Sequence, residues 1–554
     1  MSELLQTRCL SSLSKVFADE EIQDLACTSG TALANEAYSF QVAYRAEQIL
    51  KDLQVSIESE LSEVITVRTV GLAPSELAAY PHHDQHFLRK TPGLYPDPLF
   101  ELDEDSVIPA LPQWRSLWIT LNLNESLTPG LHSIHVKLAT KSGSLSVTEH
   151  FELTIVPASL PKQRLIHTEW FHVDCLSNFY HVDIFSEAHW SLIDKYMDTA
   201  VRHGMNMMLT PLFTPPLDTA IGGERPTVQL IDVTKSGDEY TFGFGRLDRW
   251  IQLCEAKRVE YLEFSHLFTQ WGAKHAPKII ATEDGVTKRI FGWETDAASS
   301  SYHTFLAQFL PELVAFIHSR GLEKRCYFHV SDEPIKSHLE SYGNASKLIN
   351  TYLEGFPIID ALSNYDFYEQ GLVKIPIPAN NHIEPFLEHH VHPLWTYYCS
   401  SQGVNVSNRF FGMPSARNRI LGMQLYKFQL TGFLHWGYNF WNSQYSKRPI
   451  HPFQDTDSSR AHPSGDAFLV YPGEQGPIES IRLEVLTEAL QDLRALELLE
   501  QQIGRERTLE VLEEGLAHPL TFSEYPREME WLLNKREQIN RMIESLLSLP
   551  SVSD

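Results

Sequence analysis

YHTFLAQFLPELVAFIHSRGLEKRCYFHVSDEP, residues 302–334, is the stretch that decides the fold of this chain. Apolar side chains recur in it every three or four residues as far as Arg320, which predicts an amphipathic helix. Gly321 is suited to ending that helix, because glycine adopts the left-handed conformation without strain. The apolar run Cys326–Val330 then predicts a buried strand, and polar residues follow it. The stretch is therefore one helix–strand unit of an α/β fold.

The same alternation of strand and helix continues on both sides of this unit. Helices are predicted behind Ser186, at Leu247–Ala256 and at Arg417–Leu430, and strands at Leu165–Phe171, Asn206–Leu212, Val259–Leu267, Ile358–Ser363, Leu394–Ser400 and Gly432–Phe440. This alternation predicts a (β/α)8 TIM barrel over residues 161–505. A doubly wound open sheet is the structural alternative, but no strand is followed by a GxGxxG or Walker sequence.

The chain on either side of the barrel has a different pattern. Residues 1–160 predict an antiparallel β-sandwich, with strands at Ser39–Tyr44, Val64–Val70, Ser116–Leu123, His132–Leu138 and Leu145–Val156. A polar, proline-rich segment, Tyr80–Leu102, lies between two of these strands. Residues 506–554 are charged and rich in Leu and Glu, which predicts a C-terminal helical tail. The pattern gives no role for two insertions, near 222–245 and 275–298.

The overall charge limits the partners of the protein. A formal net charge of -26 argues against nucleic acid or an anionic membrane surface, because both require a basic face. The N-terminus lacks the pattern of a secretory signal, and no stretch approaches the ~20 apolar residues that span a bilayer. The six cysteines are scattered, as in a cytosolic protein with reduced thiols. We expect a cytoplasmic protein without nucleic-acid or membrane partners, and a homo-oligomer is left open.

An acidic pair follows the strand of the opening stretch. Functional side chains of a barrel lie where its strands end, and Asp332 and Glu333 come directly after that strand. Pro334 cannot continue a strand ladder, so the chain must turn and both carboxylates can reach the barrel mouth. An isolated Asp-Glu pair is more often solvated surface. The apolar strand before this pair and the proline after it favour a catalytic interpretation.

Aromatic and amide side chains cluster at the other strand ends. Flat rings contact the apolar faces of pyranoses, and amides bind their hydroxyls. We therefore predict a carbohydrate pocket with substrate-binding residues Trp170, His266, Trp271, Tyr397, Trp436, Tyr438, Asn439 and Trp441. Rings on a strand are more often core than binding site, but the asparagines among them weaken that interpretation.

Two groups of histidines have spacings that would allow metal binding. They are His82, His83 and His86, and His389, His390 and His392. Histidines in polar loops are more often unliganded. We therefore expect neither a metal nor another cofactor.

The distribution of acids bears on the mechanism. Most retaining glycosidases use two separated carboxylates, one as acid/base and one as nucleophile. Two of the later strands contribute no acid, which leaves only Glu263 and Glu169 near other strand ends. An adjacent pair instead suits substrate assistance, in which the 2-acetamido oxygen of the sugar attacks its own anomeric carbon. Asp332 would then orient the acetamido N–H, and Glu333, its pKa raised by burial and a like charge, would protonate the leaving oxygen.

Several segments of the chain occur together in a known family. They are Val330–Pro334, Trp271–Pro277, Gly432–Asn439, Gly465–Gly473, Ser480–Glu484 and, in the sandwich, Tyr95–Leu99. In this combination the chain resembles glycoside hydrolase family 123 and its uncharacterised relatives over nearly its whole length. The resemblance implies a sandwich followed by a (β/α)8 domain, and exo-acting β-N-acetylgalactosaminidase activity by substrate assistance. It also implies that the pair at Asp332 and Glu333 carries catalysis.

Three hypotheses about function remain. The leading one is a retaining exo-glycosidase that releases terminal β-linked N-acetylgalactosamine, or N-acetylglucosamine, by substrate assistance. The second is a two-carboxylate glycosidase acting on a sugar without an acetamido group, with Glu333 as acid and Glu263 or Glu169 as nucleophile. The third is a carbohydrate-binding barrel that has lost activity.

Overall fold

The N-terminal part of the chain forms two five-stranded sheets. The computed structural model describes residues 4–103 and 105–547. The strands are β1 (Leu5–Ser11), β2 (Ser29–Leu33), β3 (Ala37–Ala46), β4 (Leu50–Glu58), β5 (Ile65–Ser75), β6 (Gly93–Glu101), β7 (Ile108–Ala110), β8 (Arg115–Asn122), β9 (Gly130–Thr140) and β10 (Ser146–Val156). They are ordered β1-β3-β8-β5-β6 and β2-β10-β9-β4-β7. Neighbours are antiparallel except β2 and β10, which are parallel.

Alternating apolar residues fill the space between the two sheets. In β9, Ile134, Val136 and Leu138 are buried, and the residues between them are more exposed, as expected of strands with one solvated face. The rings of Phe40 and Phe151, one from each sheet, stack with centroids 4.1 Å apart. The predicted antiparallel sheets are confirmed. The strand β6 is a correction, because it lies within the segment 80–102 for which no strand was predicted.

The rest of the chain contains short strands and longer helices. The strands are β11 (Ile166–Glu169), β12 (Met207–Thr210), β13 (Asp232–Ser236), β14 (Glu239–Gly243), β15 (Tyr261–Phe264), β16 (Ile279–Glu283), β17 (Val286–Phe291), β18 (Cys326–Tyr327), β19 (Ile359–Ala361), β20 (Ile375–Ile377), β21 (Trp395–Tyr397), β22 (Gly432–His435), β23 (Tyr471–Pro472) and β24 (Pro477–Ile478). The helices are α1 (Val173–Tyr180), α2 (Glu187–Arg202), α3 (Gly245–Ala256), α4 (Ser300–Ser319), α5 (Leu339–Asn350), α6 (Asp366–Glu369), α7 (Glu384–Glu388), α8 (Ser415–Arg419), α9 (Leu421–Lys427), α10 (Ile481–Ile503), α11 (Arg505–Glu513) and α12 (Met529–Leu547).

Eight of these strands are parallel and follow one another in the order of the predicted barrel. Ladders join β12 to β15 to β18, β19 to β20, and β21 to β22 to β11. Single parallel bridges, Phe328–Ile358 and Ala379–Tyr397, connect these groups to one another. Between β11 and β12, the Asn206 N–H donates a hydrogen bond to the His167 carbonyl (3.1 Å). The strand–helix order is thus as predicted, although the ladders form three sheets and not one closed ladder.

Two strands differ from the sequence prediction. The strand β20 was not predicted, because it has three residues and a central Pro376, which cannot donate to a ladder. The strand β22 ends at His435, whereas the prediction extended it to Phe440. The chain turns after β22, and this changes where its later aromatic side chains lie.

The two insertions of the barrel form one structure. The hairpin of β13 and β14 comes from the first insertion, and the hairpin of β16 and β17 from the second. A parallel contact between β13 and β16 joins them into a sheet ordered β14-β13-β16-β17. Phe242 of this sheet packs on Phe305 and Phe309 of α4.

The C-terminal helices connect the barrel with the sandwich. The helix α10 is buried along most of its length and packs on α8, α9 and α12. Its N-terminal Arg482 forms an ion pair with Asp97 of β6 (2.8 Å). The predicted helical tail contains α11 and α12, and its last residues, 548–554, lie outside the described part of the chain. Among the described residues, no helix has both the length and the apolarity needed to span a membrane.

Candidate active site

The acidic pair lies on a sharp turn beyond β18. The Asp332 carbonyl accepts a hydrogen bond from the Trp271 N–H, and the Glu333 N–H donates to the Ala361 carbonyl, each at 3.0 Å. Glu333 has a φ of 43°, in the left-handed region that few non-glycine residues adopt. Such a conformation persists only where the surroundings hold it, and it is common at functional sites. This turn directs both carboxylates into the same cavity.

The cavity lies at the carboxyl-terminal ends of the parallel strands, and its lining residues stand at or beyond the ends of seven of the eight. Four of the predicted substrate-binding residues line it together with the acidic pair: Trp170, Trp271, Tyr397 and Trp436. The indole N–H of Trp170 donates to Glu263 (2.7 Å), and that of Trp436 donates to Asp466 (3.0 Å). Each of these two rings is therefore fixed in orientation by a buried carboxylate.

Tyr397 contacts Glu333 of the acidic pair directly. Its hydroxyl donates a hydrogen bond to Oε1 of Glu333 (2.7 Å). Burial raises the pKa of Glu333; the Tyr397 hydroxyl opposes this effect, and the charges of Asp466 and Asp218 add to it. Burial and the charge of Glu333 also raise the pKa of Asp332, which His329 opposes. The pair therefore retains a proton to a higher pH than free carboxyl groups would.

A buried histidine lies behind the pair. His329 donates hydrogen bonds to Glu263 (2.7 Å) and to Asp360 (3.1 Å). Although burial disfavours its charge, these two acids raise the pKa of His329 to about 9. His329 is therefore a cation at neutral pH, and it balances negative charge beneath Asp332.

The two candidate nucleophiles, Glu263 and Glu169, are buried among the parallel strands. Glu263 accepts hydrogen bonds from Thr168, Trp170 and His329. Glu169 forms a bidentate ion pair with Arg409 (2.7 and 2.9 Å). Burial opposes its ionisation, but Arg409 and His435 lower the pKa of Glu169 to about 2. Neither carboxylate lines the cavity.

The family of the chain follows from comparison with known proteins. The family model "Glycoside hydrolase 123, catalytic domain" matches residues 170–499. The chain belongs to glycoside hydrolase family 123. The strand ends, the aromatic cavity and the Asp332–Glu333 turn all lie inside the matched region. Among curated proteins, none matches the chain.

A solved structure from the same family shares the fold of this family 123 chain. A family 123 glycoside hydrolase from Clostridium perfringens, described for glycolipid glycan hydrolysis, is 15% identical with a TM-score of 0.75, over 98% of this chain and 97% of that one. An endo-β-1,4-mannanase from Thermotoga petrophila is 13% identical with a TM-score of 0.34, over 60% of this chain and 77% of that one. A β-glucuronidase from Parabacteroides merdae is 9% identical with a TM-score of 0.29, over 88% and 51%. The likeness to the Clostridium structure covers the sandwich, the barrel and the C-terminal helices.

Four of the predicted substrate-binding residues lie outside the cavity. The Tyr438 hydroxyl donates to the Tyr196 carbonyl, Asn439 bonds the backbone of His172, and the Trp441 indole N–H donates to the Val470 carbonyl. This correction follows from the early end of β22, because the chain beyond it turns into the core. His266 is also buried, where its ring stacks on His329 with centroids 4.1 Å apart.

The cavity also contains residues that were not predicted. Asp218, His462 and Cys399 line it, as does Gln270, the neighbour of Trp271. Asp218 and His462 lie in loops that are far apart in the sequence, with no strand pattern before either. Gln270 was identifiable from its position next to a predicted aromatic residue.

The histidine groups singled out in the sequence lie on the surface. His82, His86, His389, His390 and His392 are exposed. Among the described residues, two groups bring three possible metal ligands together: His266, His329 and Asp360, and His203, Glu479 and Glu484. His329 already donates to two acids, and Glu479 and Glu484 form ion pairs with Arg68. These contacts favour ion-pair networks over cation sites.

Proposed function

We propose that this family 123 protein is a retaining exo-glycosidase that releases terminal β-linked N-acetylgalactosamine by substrate-assisted catalysis. We further infer that its eight parallel strands constitute a complete (β/α)8 barrel with the active site at their carboxyl-terminal ends. The observation that carries the proposal is the turn that presents Asp332 and Glu333 side by side in one aromatic cavity. The similar Clostridium perfringens enzyme was described for glycolipid glycan hydrolysis, so a glycan of this type is a candidate substrate.

The reaction proceeds in two steps at the anomeric carbon. In the first, the Asp332 carboxylate accepts a hydrogen bond from the acetamido N–H, and the acetamido oxygen attacks the anomeric carbon. Glu333 gives its proton to the leaving glycosidic oxygen as that bond breaks. In the second, the Glu333 carboxylate takes a proton from water, whose oxygen attacks the anomeric carbon and breaks its bond to the acetamido oxygen of the cyclic oxazolinium intermediate. Two inversions retain the anomeric configuration.

Burial raises the pKa of both carboxyl groups, and the division of roles rests on the cation His329, which favours ionisation of Asp332. A general acid must hold a proton at working pH, and burial raises the pKa of Glu333. Asp332 is the member of the pair on which the cation His329 acts in favour of ionisation. An ionised Asp332 stabilises the positive charge that develops on the acetamido group. The rings of Trp170 and Trp436 supply apolar surfaces for the sugar.

One observation supports a second mechanism. Asp218 lines the cavity, so the protein has a third carboxylate near the pair. With Asp218 as nucleophile or base and Glu333 as acid, the enzyme would act on sugars without an acetamido group. Burial raises the pKa of Asp218, so a smaller fraction of this group is ionised and able to act as a nucleophile. This mechanism therefore ranks second.

A panel of aryl glycosides tests the proposal. Wild type should hydrolyse the N-acetyl-β-galactosaminide faster than the β-galactoside, and a thiazoline mimic of the oxazoline should inhibit it. Glu333→Gln and Asp332→Asn should each lower kcat by at least about 100-fold. Turnover that persists in both variants, or equal cleavage of sugars with and without the acetamido group, contradicts the proposal.

A further inference from the structure

One side of the cavity carries polar groups for which the proposed mechanism has no use. Asp218, Gln270 and His462 line it. Gln270 is only 5% exposed, yet its Nε2 has no hydrogen-bond partner among the described residues, and the same holds for both ring nitrogens of His462. A buried polar group is rarely left unpaired, because it has lost its contacts with water. These nitrogens are therefore available to a ligand that enters the cavity.

The chain holds this side of the cavity in a fixed conformation. Oε1 of Gln270 accepts a hydrogen bond from the Asp218 N–H (2.7 Å), which fixes the amide. Oδ2 of Asp218 accepts from the Tyr445 N–H (2.9 Å), and its carbonyl accepts from the Ser446 hydroxyl (2.7 Å). These contacts keep Asp218 at a φ of 37°, in the left-handed region. The groups are thus preorganised and do not have to move to bind a ligand.

The charge of the cavity defines which ligand it can hold. Three carboxylates, Asp218, Asp332 and Glu333, line it, and no lysine or arginine is among the described lining residues. A sulfate, phosphate or carboxylate on the ligand would be repelled by those of the three groups that are ionised, and it would find no lysine or arginine among these lining residues to pair with. A hydroxyl can donate to the free oxygen of Asp218 and accept from the amide of Gln270.

We propose that Asp218, Gln270 and His462 form a hydroxyl-binding wall that selects an uncharged sugar and excludes sulfated, phosphorylated and uronic acid sugars. The proposal rests on the proposed function, because it places the wall around the sugar that Asp332 and Glu333 cleave. The wall determines which sugar binds, and the acidic pair determines how it is cleaved.

Deoxy substrates test whether the wall binds hydroxyls. Gln270→Leu should lower kcat/KM for the aryl N-acetyl-β-galactosaminide by roughly 10- to 100-fold. The loss should shrink to a few-fold on the 3-, 4- or 6-deoxy analogue that lacks the hydroxyl bound by Gln270. Gln229→Leu is the matched control: Gln229 is also 5% exposed, but its amide donates to the carbonyls of Ile231 and Ile280. An equal loss for Gln270→Leu on every analogue overturns the proposal.

A binding experiment tests the exclusion of charged sugars without relying on turnover. Calorimetric titration of wild type should give a Kd for N-acetylgalactosamine 6-sulfate at least about 100-fold weaker than for N-acetylgalactosamine. Asp218→Asn preserves the shape of the side chain and should narrow this ratio. Equal binding of the two sugars by wild type, or an unchanged ratio of the two Kd values in Asp218→Asn, overturns the proposal.

The two proposals fail in different ways. Turnover that survives Glu333→Gln while binding still discriminates between neutral and sulfated sugars contradicts the mechanism and supports the wall. Turnover that is lost in Glu333→Gln while sulfated and neutral sugars bind equally supports the mechanism and contradicts the wall.

Discussion

At the scale of single residues, the Tyr397 hydroxyl tunes the acid of the reaction. It donates to Glu333 and so stabilises the carboxylate relative to the carboxylic acid. Tyr397→Phe should therefore raise the pKa of Glu333 further. The basic limb of the pH profile of kcat/KM, which follows loss of the acid's proton, should move to higher pH by roughly one unit, as expected for one hydrogen bond to a charged group.

Tyr398→Phe is the matched control for this experiment. Tyr398 is the next residue in the chain and is fully buried, but its hydroxyl contacts Asn418 and it does not line the cavity. Its removal should leave the basic limb in place. A profile that is the same in Tyr397→Phe as in wild type would show that Glu333 does not set that limb.

His329 links the stability of the fold to pH. The pKa of this histidine is about 9 in the folded protein, above its ordinary value of 6.5. Protonated His329 therefore stabilises the folded state fully below pH 6.5, and this contribution to stability disappears as the pH rises through 9. In thermal unfolding, the Tm of wild type should fall as the pH rises from 6.5 to 9. His329→Gln should have a lower Tm than wild type at pH 6, and its Tm should depend less on pH.

The same substitution should affect catalysis on the acidic side. Without the cation, Asp332 ionises less readily, so the acidic limb of kcat/KM should move to higher pH. His189→Gln is the control, because burial lowers the pKa of His189 and it is neutral over this range. In the thermal experiment, a fall of Tm with rising pH that is as steep in His329→Gln as in wild type would show that His329 does not cause the pH dependence of stability.

The acidic pair could be predicted from the sequence, but Asp218 and His462 of the hydroxyl-binding wall could not. Asp332 and Glu333 follow an apolar strand and precede a proline, and this signal is local. Asp218 and His462 come from loops that are separated in the sequence by several parallel strands, and only the folded arrangement of these strands brings the two loops together. A single sequence contains no information on such a pairing of loops.

At the scale of elements, Gly432 determines how closely two barrel strands approach. It pairs with Trp395 of β21, and a Cβ added to it would lie 2.1 Å from the indole ring. Trp395 is fully buried and cannot move away, and Tyr397 is two residues further along the same strand. Gly432→Ala should lower the free energy of unfolding by about 1–3 kcal/mol and also lower kcat/KM.

Gly245→Ala provides the comparison in denaturant unfolding and in kinetics. Gly245 begins α3, and nothing lies within 4 Å of an added Cβ. Alanine there should be neutral or slightly stabilising, because it favours the helix. If Gly432→Ala is also neutral, the close approach of β21 and β22 does not position Tyr397.

Helices were easier to predict than strands in this chain. The helices α2, α3 and α4 were predicted to within about two residues, because each repeats an apolar stripe over several turns. Most barrel strands have two to four residues, too few for a periodic signal. The length of β22 was overestimated for this reason, because the rings after His435 continue an apolar run that the backbone does not continue as a strand.

At the scale of the whole molecule, one buried ionic network joins the sandwich, the barrel and the C-terminal helix. Asp492 of α10 accepts from Arg419 of α8 (2.7 and 2.9 Å) and from Arg536 of α12 (2.9 Å). Arg536 also pairs with Glu36 of the sandwich. Asp492→Ala leaves two buried arginines without this partner and should lower the free energy of unfolding by about 3–5 kcal/mol, with little change in KM.

Asp198→Ala is the matched control in chemical denaturation. Asp198 also pairs with two basic residues, Arg202 and Lys257, but its side chain is 48% exposed. Its loss should cost less than about 1 kcal/mol, as for other surface ion pairs. If Asp492→Ala costs no more than this control, the network does not hold the domains together.

The two insertions are tied together by the pairing of β13 with β16. Each hairpin covers an edge of the other, so removal of one would leave an unpaired strand edge. We therefore expect that evolution of the family gains or loses the β13–β14 hairpin and the β16–β17 hairpin together. A shortened enzyme, whether natural or engineered, should keep both hairpins or neither, and one that keeps a single hairpin should aggregate.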